Sequence, residues 1–365
     1  MMTAFSDVFA DVTKQGTKLQ TSEYLASGKY PIIDQGQDDI AGYTDREDGL
    51  FTDVPAIIFG DHTRIVKYVD TPFFLGADGV KVLKATIPDV DYRYLYYAVS
   101  AVKIPNTGYN RHFKWLKEAQ IYLPDLPTQQ RIADTLDKVS EGIALCRRML
   151  GELDLMVKAK FVEMFGDPVS NPMGWEEKKL GHVCKKLTDG THFSPESFAT
   201  GAYKYVTAKN IRINGFDFSN ITYIPEEVHR PIYERCNPEY GDVLYIKDGV
   251  TTGIAMVNTL HEEFSLLSSV ALLKQDRNVI NGCFLCGVLN NAEMYSNIRM
   301  NMGGAAITRL TIAKLNEIRV IVPPIELQEQ FATFVSKIDK SRLTIQQVLS
   351  KIELEQKVLM QKYFG

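Results

Sequence analysis

The chain has 365 residues, of which 45% are hydrophobic and 24% charged, and carries a net charge of −4. That length gives room for about two domains, and the composition is ordinary globular chemistry. The five cysteines (Cys146, Cys184, Cys236, Cys283 and Cys286) are odd in number and scattered, which argues against a disulfide framework and for free thiols in a reducing compartment. No run approaches the ~18 apolar residues of a membrane span, and MMTAFSDVFADVTK lacks a basic-then-apolar signal pattern, so a cytoplasmic location without a membrane partner is expected.

Residues 1–122 read as a mixed lobe. Within it TDVPAIIFGDHTRI (52–65) predicts a strand, a polar Gly-containing turn and a second strand, and FKWLKEAQIYLP (113–124) predicts a short helix running into a strand. Residues 123–166 follow as one long helix. It opens after Pro124 and Pro127, and Ile132, Leu136, Val139, Ile143, Cys146, Leu150, Leu153 and Val157 recur at alternating steps of four and three, the spacing of a coiled-coil seam.

A second lobe, 167–322, opens NPMGWEEKKLGHVCKKLTDGTHFSPE. Its GDVLYIKDGVTTGI (241–254) matches the strand-turn-strand of the first lobe at an offset of 189, since subtracting Ile65 from Ile254 gives that number and Asp53-Val54, Ile57, Gly60 and Thr63 then fall on Asp242-Val243, Ile246, Gly249 and Thr252. Cys283 and Cys286 form a C-x-x-C with no second pair nearby, which favours burial in an apolar helix over a metal. IAKLNEIRVIVP (312–323) repeats the short helix and strand, and 323–365 form a second long helix.

The two long helices are one module used twice. Subtracting Pro124 from Pro323 gives 199, and the same offset pairs Gln129 with Gln328, Ala133 with Ala332, Lys158 with Lys357, and Phe165-Gly166 with Phe364-Gly365. The second copy keeps Phe331, Val335, Ile338, Ile345, Leu349 and Ile352 on the stripe but has Arg342 and Gln356 where the first has Ile143 and Val157, so its seam is less continuous. Each apolar stripe needs a partner, and the other copy is the simplest one. The expected fold is α+β: two similar mixed α/β lobes joined by two long antiparallel helices in a coiled coil, a pseudo-two-fold internal repeat.

Catalytic signatures are missing. There is no G-x-x-x-x-G-K-S/T loop, no G-x-G-x-x-G and no H-E-x-x-H. Asp167-Pro168-Val169 and Asn171-Pro172-Met173 lack the second proline of an amino-methyltransferase motif, and GDVLYIK has Tyr245 where a nuclease Asp…Glu-x-Lys site needs its acid. The chain reads as non-catalytic, with no metal or cofactor of its own.

A lobe, the helix of LPDLPTQQRIA, a second lobe with its LTDGTH stretch, and the helix again at VPPIELQEQFA together resemble the specificity (S) subunit of type I restriction-modification systems, over the whole chain. The resemblance implies that each lobe is a target recognition domain reading one half of a bipartite target on double-stranded DNA. It also implies that the helices set the spacer and dock two methyltransferase (M) subunits, with restriction (R) subunits where the system has them. S-adenosylmethionine would then belong to the methyltransferase, and ATP and Mg to a restriction partner. A net charge of −4 is unusual for a DNA reader, which ordinarily neutralises phosphates, so binding without partners is expected to be weak. Half-sites read from one face of the duplex would lie ~34–36 Å apart.

On this reading the DNA-contacting candidates are the polar residues of turn-rich segments. In the first lobe they are His62, Thr63, Arg64 and Lys67, with Asp61 beside them, and Arg111, His112 and Lys114, preceded by Asn110. In the second they are Thr191 and His192 after Asp189-Gly190; Lys204, Lys209 and Asn210, with Arg212; Lys247, Thr251 and Thr252; and Thr308 and Arg309. Arg64, Arg111, Lys209 and Arg309 rank first because their cations suit guanine or phosphate. Off the helix seam, Gln129, Gln130, Arg131, Lys138 and Lys158, with Gln328, Gln330, Lys337 and Lys357, are candidates for subunit docking. The rival readings are a non-catalytic protein-interaction scaffold and an enzyme with an unrecognised site.

Overall fold

The computed structural model describes residues 1–76, 78–300 and 309–365. They divide into two compact units: Met1–Arg148 with Gln346–Gly365, and Met149–Ile345. Each unit therefore holds one lobe and a segment of both long helices.

In the first unit an antiparallel sheet runs in the order Phe9–Asp11, Val80–Ala85, Ala56–Gly60, Val66–Val69. Ala56–Phe59 is buried throughout, the reason it reads as an unbroken apolar run instead of alternating. Ile57 and Phe59 pack with Tyr94, Leu95 and Ala98 of the helix Tyr92–Ser100, while Ala56 and Ile58 face Phe73 and Leu75. A three-stranded sheet, Gly42–Thr44, Tyr30–Ile33, Phe74–Leu75, lies alongside, and Met2–Ala4 pairs with Gln120–Tyr122.

The second unit repeats this topology. Its four strands are ordered Cys184–Asp189, Val270–Gln275, Val243–Ile246, Ala255–Val257, its three Thr222–Ile224, Tyr203–Val206, Phe264–Leu266, and Glu177–Lys179 pairs with Arg319–Ile321. The short helices Phe113–Lys117 and Ile312–Glu317 each lead into the last of these strands. The C-x-x-C lies in the helix Gly282–Leu289, where burial pushes the Cys283 thiol up to about 12 and holds Cys286 well above the ordinary thiol range.

The hydrogen-bond register corrects the sequence alignment of the two hairpins. Gly60 N donates to Ile65 O and Asp61 N to Gly79 O, and in the second lobe Ile246 N donates to Ile254 O and Lys247 N to Ser269 O. Gly60 thus corresponds to Ile246 and Asp61 to Lys247, whereas Ile57 and Ile246 are not counterparts. The offset of 189 holds only for the second strand, because the turn has four residues (61–64) in one lobe and seven (247–253) in the other.

Both long helices have 40 residues, Leu126–Phe165 and Ile325–Phe364, about 60 Å each at 1.5 Å per residue. Within each unit their segments run antiparallel. In the first, Gln356 Nε2 donates to Ser140 Oγ (3.0 Å), Arg147 pairs with Glu353 (2.8 Å), and Leu359, Met360 and Phe364 close the lobe core against Tyr94. In the second, Phe161 and Phe165 interleave with Phe331 and Phe284, and buried Arg342 pairs with Asp154 and, at 3.4 Å, with Asp339. Arg342 and Gln356, the two polar breaks in the second seam, are both answered by the facing helix. The NPMGW motif is a tight turn: Asn171, at φ +45°, bonds both the N–H and the carbonyl of Trp175, whose indole donates to Phe165 O at the helix end.

Gln129 and Gln328 face inward, which corrects their assignment as docking residues. Gln129 is 2% exposed; its carbonyl accepts from Asp91 N, and its amide donates to Pro124 O. Gln328, fully buried, accepts from Asn281 N and donates to Pro323 O and Val279 O. Asp91 and Asn281 cap the first lobe helix and its counterpart, so each glutamine ties the start of a long helix to a lobe. Gln129→Ala and Gln328→Ala should each lower unfolding free energy by about 2 kcal/mol, because they orphan buried groups. The exposed Gln130→Ala should stay within about 0.5 kcal/mol. Chemical denaturation of the intact chain checks both; equal behaviour of Gln129→Ala and Gln130→Ala would contradict the clamp.

Candidate nucleic-acid interface

Polar candidates from separate segments meet at one end of each four-stranded sheet. In the first lobe the strand Ala56–Gly60 ends at buried Asp61, whose carbonyl accepts from His112 N (2.7 Å) and faces His112 Nδ1 at 3.0 Å, while its carboxylate accepts from Phe113 N (2.8 Å). These bonds bring the loop before the short helix onto the hairpin turn. Gln35 completes the frame: its side-chain oxygen accepts from His62 N, its backbone carbonyl from Thr63 Oγ1, and its amide donates to Asp78 O.

Arg64 has φ +63°, a left-handed conformation uncommon for a side-chain-bearing residue, and its guanidinium donates to Ile104 O at 3.4 Å. Arg111 is exposed, without an ion pair among the described residues. His62, Thr63, Arg64, Arg111 and His112 are thus brought together, although His112 itself is buried. Lys67 is turned inward, 3.5 Å from Asp34 and bonded to Asp38 O. Lys114 lies over the Trp115 ring on the short helix.

The second lobe reaches the same place with opposite charge. Lys247, counterpart of Asp61, is 2% exposed and pairs with buried Asp189 at 3.2 Å. His192 (3.2 Å) and Arg235 (3.5 Å) converge on the same carboxylate, and Arg235 also bonds Gly190 O. Leu310 N donates to Lys247 O, as His112 N does to Asp61 O, so Arg309 corresponds to Arg111; it stands exposed, 3.7 Å from Asp248. Thr251 lies in the turn, and Thr252 is buried there, its hydroxyl donating to Gly249 O. The turn Ala208–Asn210 joins through Ala208 N to Ser269 Oγ; Lys209 is exposed on it, while buried Asn210 closes a capping box with Thr207. Thr191 is buried by backbone bonds to Leu266 and Ser268. Lys204 sits apart, paired with Glu262 on the smaller sheet, and Arg212 pairs with Asp217. Thr308 lies outside the described residues.

Burial therefore divides the candidates. Lys67, His112, Thr191, Asn210, Lys247 and Thr252 hold the frame with their side chains inside the lobes, whereas Thr63, Arg111, His192, Lys209 and Arg309 present theirs outward. Sequence reasoning missed Gln35 and Arg235, which fasten the turns from neighbouring segments; the polar, Gly-containing run DQGQDD is a turn signal that could have flagged Gln35, but nothing local announced its partners. Of the docking candidates, Gln130, Arg131, Lys138, Lys158, Gln330, Lys337 and Lys357 are exposed.

The sequence matches the family described as type I restriction modification DNA specificity domain over residues 3–154 and again over 172–356. The fold is similar to that of the type I restriction-modification S subunit from M. genitalium, with a TM-score of 0.61 and 19% identity over 100% of this chain and 96% of that one. A chain from a structure described as the basis of complex assembly and conformational transition of the type I R-M system gives 0.50 and 17%, over 99% and 95%.

The buried pair makes a direct test of frame against surface. Lys247→Ala leaves the Asp189 carboxylate buried without its ammonium and should destabilise the chain by about 3 kcal/mol, whereas exposed Lys209→Ala should change stability by less than about 0.5 kcal/mol. Denaturant midpoints of the two variants decide it, and a Lys247→Ala midpoint equal to the parent's would show that the pair contributes nothing.

Proposed function

Because this chain belongs to the type I restriction-modification DNA specificity family, we propose that its two lobes, taken as residues 1–122 and 167–322, read the two halves of a bipartite target on double-stranded DNA. The helices 123–166 and 323–365 set the spacer between the halves. Two methyltransferase subunits dock on the helices through exposed residues that recur at the repeat offset, Lys138 with Lys337 and Lys158 with Lys357, and restriction subunits join where the system has them. Adenine methylation with S-adenosylmethionine, and ATP- and Mg-dependent cleavage, are then the partners' chemistry. This chain supplies base contacts and geometry.

The observation that carries the reading is a shared frame with unlike edges. The two lobes repeat strand order and register, yet at the equivalent sheet end one has a four-residue turn on buried Asp61 and the other a seven-residue turn on buried Lys247. A protein reading two different half-sites from a single geometry needs that combination. Arg111 and Arg309 stand at corresponding places on those edges, where a guanidinium can address guanine or phosphate.

Mapping methylated adenines in a host that expresses this chain with its methyltransferase should yield a split motif around a fixed unread gap. Methylation without such a motif, or a stable complex without methylation, would favour a protein-interaction scaffold. Deleting the heptad Ala144–Leu150 keeps the seam in phase and should shorten the gap or abolish assembly; an unchanged gap refutes the spacer role. Arg309→Ala should cost about 1–3 kcal/mol at one half-site only, while an equal loss on random DNA would make Arg309 a phosphate contact.

A further inference from the structure

The loop 105–111 of the first lobe carries the aromatic side chain most exposed among the described residues. Tyr109 is 85% exposed, and its ring lies on His62 at 4.5 Å with the planes 7° apart. Single apolar groups on a surface need no explanation, but this one is held. Gly108, at φ +75°, makes the turn that precedes it, and Asn110 bonds back to Thr107. His112 pins the far side of the loop to Asp61, and Gln35 fixes the backbone of His62. Two rings from segments far apart in sequence are thereby brought into register on the outer rim, although Tyr109 contributes to none of the lobe's apolar cores.

The surroundings identify what such a ring fits. Arg64 leaves the same turn as His62, and Arg111 follows two residues after Tyr109, so guanidinium groups come from both segments. Asp78, the carboxylate near them, is paired with Lys18 at 3.0 Å, whose ammonium holds it below the usual carboxylate range. The second lobe stacks a tyrosine on a histidine twice: Tyr240 on His261, beside Asp242 and Glu239 and at the other end of its sheet, and Tyr203 on fully buried His229, where Arg230 is already paired with Glu226 and Glu263. Stacking alone is therefore not the signal; stacking between cations is.

We infer that Tyr109, seated on His62, is a base-contacting specificity residue of the first lobe, its ring packing against base edges such as a thymine methyl while Arg64 and Arg111 engage phosphate or guanine. The inference rests on the DNA-reading role proposed above. A ring already stacked loses little freedom on binding, which suits an apolar contact placed to discriminate between bases. Because the contact is to base and not phosphate, it should leave the salt dependence of binding unchanged.

The test uses the full chain with its methyltransferase subunits and three duplexes: the intact target, and the target altered in either half. On the intact duplex Tyr109→Ala should bind about tenfold more weakly than the parent, match the parent when one particular half is altered, and keep the parent's salt slope; Tyr109→Phe should bind like the parent. If the parent discriminates among the duplexes and Tyr109→Ala does so equally well, or if Tyr109→Ala loses affinity uniformly with a shallower salt slope, the inference is overturned while the DNA-reading role stands. If the parent itself shows no preference, both fall.

Discussion

A buried side-chain amide at the start of each long helix is the constraint on which both units depend. A helix entering a lobe brings backbone N–H and carbonyl groups out of water at a point where three segments converge, and every one of them must find a partner. Gln129 and Gln328 supply donor and acceptor from one flat group: the carbonyl takes the N–H of a helix-capping residue, Asp91 or Asn281, and the amide returns a bond to the chain before the helix. The sheet, the helix behind it and the long helix are thereby held in one geometry in each unit. Arg93, bridging Asp91 to Asp134 and Asp137, adds a second tie in the first unit.

Downstream of that joint the long helices are held by unlike means. Copy one presents Ile143 and Val157 where copy two presents Arg342 and Gln356. The polar residues meet polar partners on the facing helix, Arg342 with Asp154 and Gln356 with Ser140. Shifted by the repeat offset, Asp154 corresponds to Glu353 and Ser140 to Asp339. A helix of copy one paired against another copy one would set Ile143 against Asp154 and Val157 against Ser140, leaving polar groups opposite apolar ones. Polar positions in a seam specify which helices pair and in which register, at some cost in stability. Here they favour pairing between the two copies over pairing of copy one with itself.

The sequence carried the helices plainly, because eight apolar residues at four-three spacing leave little choice of structure, and it carried the repeated lobe through strand and turn patterns. It did not carry the register of the hairpins. Ile57 and Ile246 look alike in a string of letters, but backbone hydrogen bonds pair Gly60 with Ile246, and only a three-dimensional ladder counts the three extra residues of the second turn. Nor could it tell inward from outward polar groups. Gln129 and Gln130 are neighbours on one helix, one buried and one exposed; a period of 3.6 turns Gln130 away from the apolar stripe but leaves Gln129 on its flank, where only the lobe packed against it decides burial. Lys67 and Lys247 read as surface cations until Asp34 and Asp189 arrive from distant strands to enclose them. Long-range partners are what a local pattern lacks.

Those enclosed pairs also bear on how an acidic chain can serve a DNA reader. Around the second lobe's sheet end Lys247 and Arg235 share Asp189, so part of the local positive charge is already answered by the protein's own carboxylate. Such cations position loops and contribute little to phosphate attraction, since only uncompensated charge releases counterions. On the proposed reading, affinity then has to come from partner subunits that hold the duplex. The lobes are left to weigh one base against another through a few exposed groups on rigid turns. Low net charge suits that division, because a strongly basic lobe would bind any sequence tightly and dilute the discrimination that its base contacts provide.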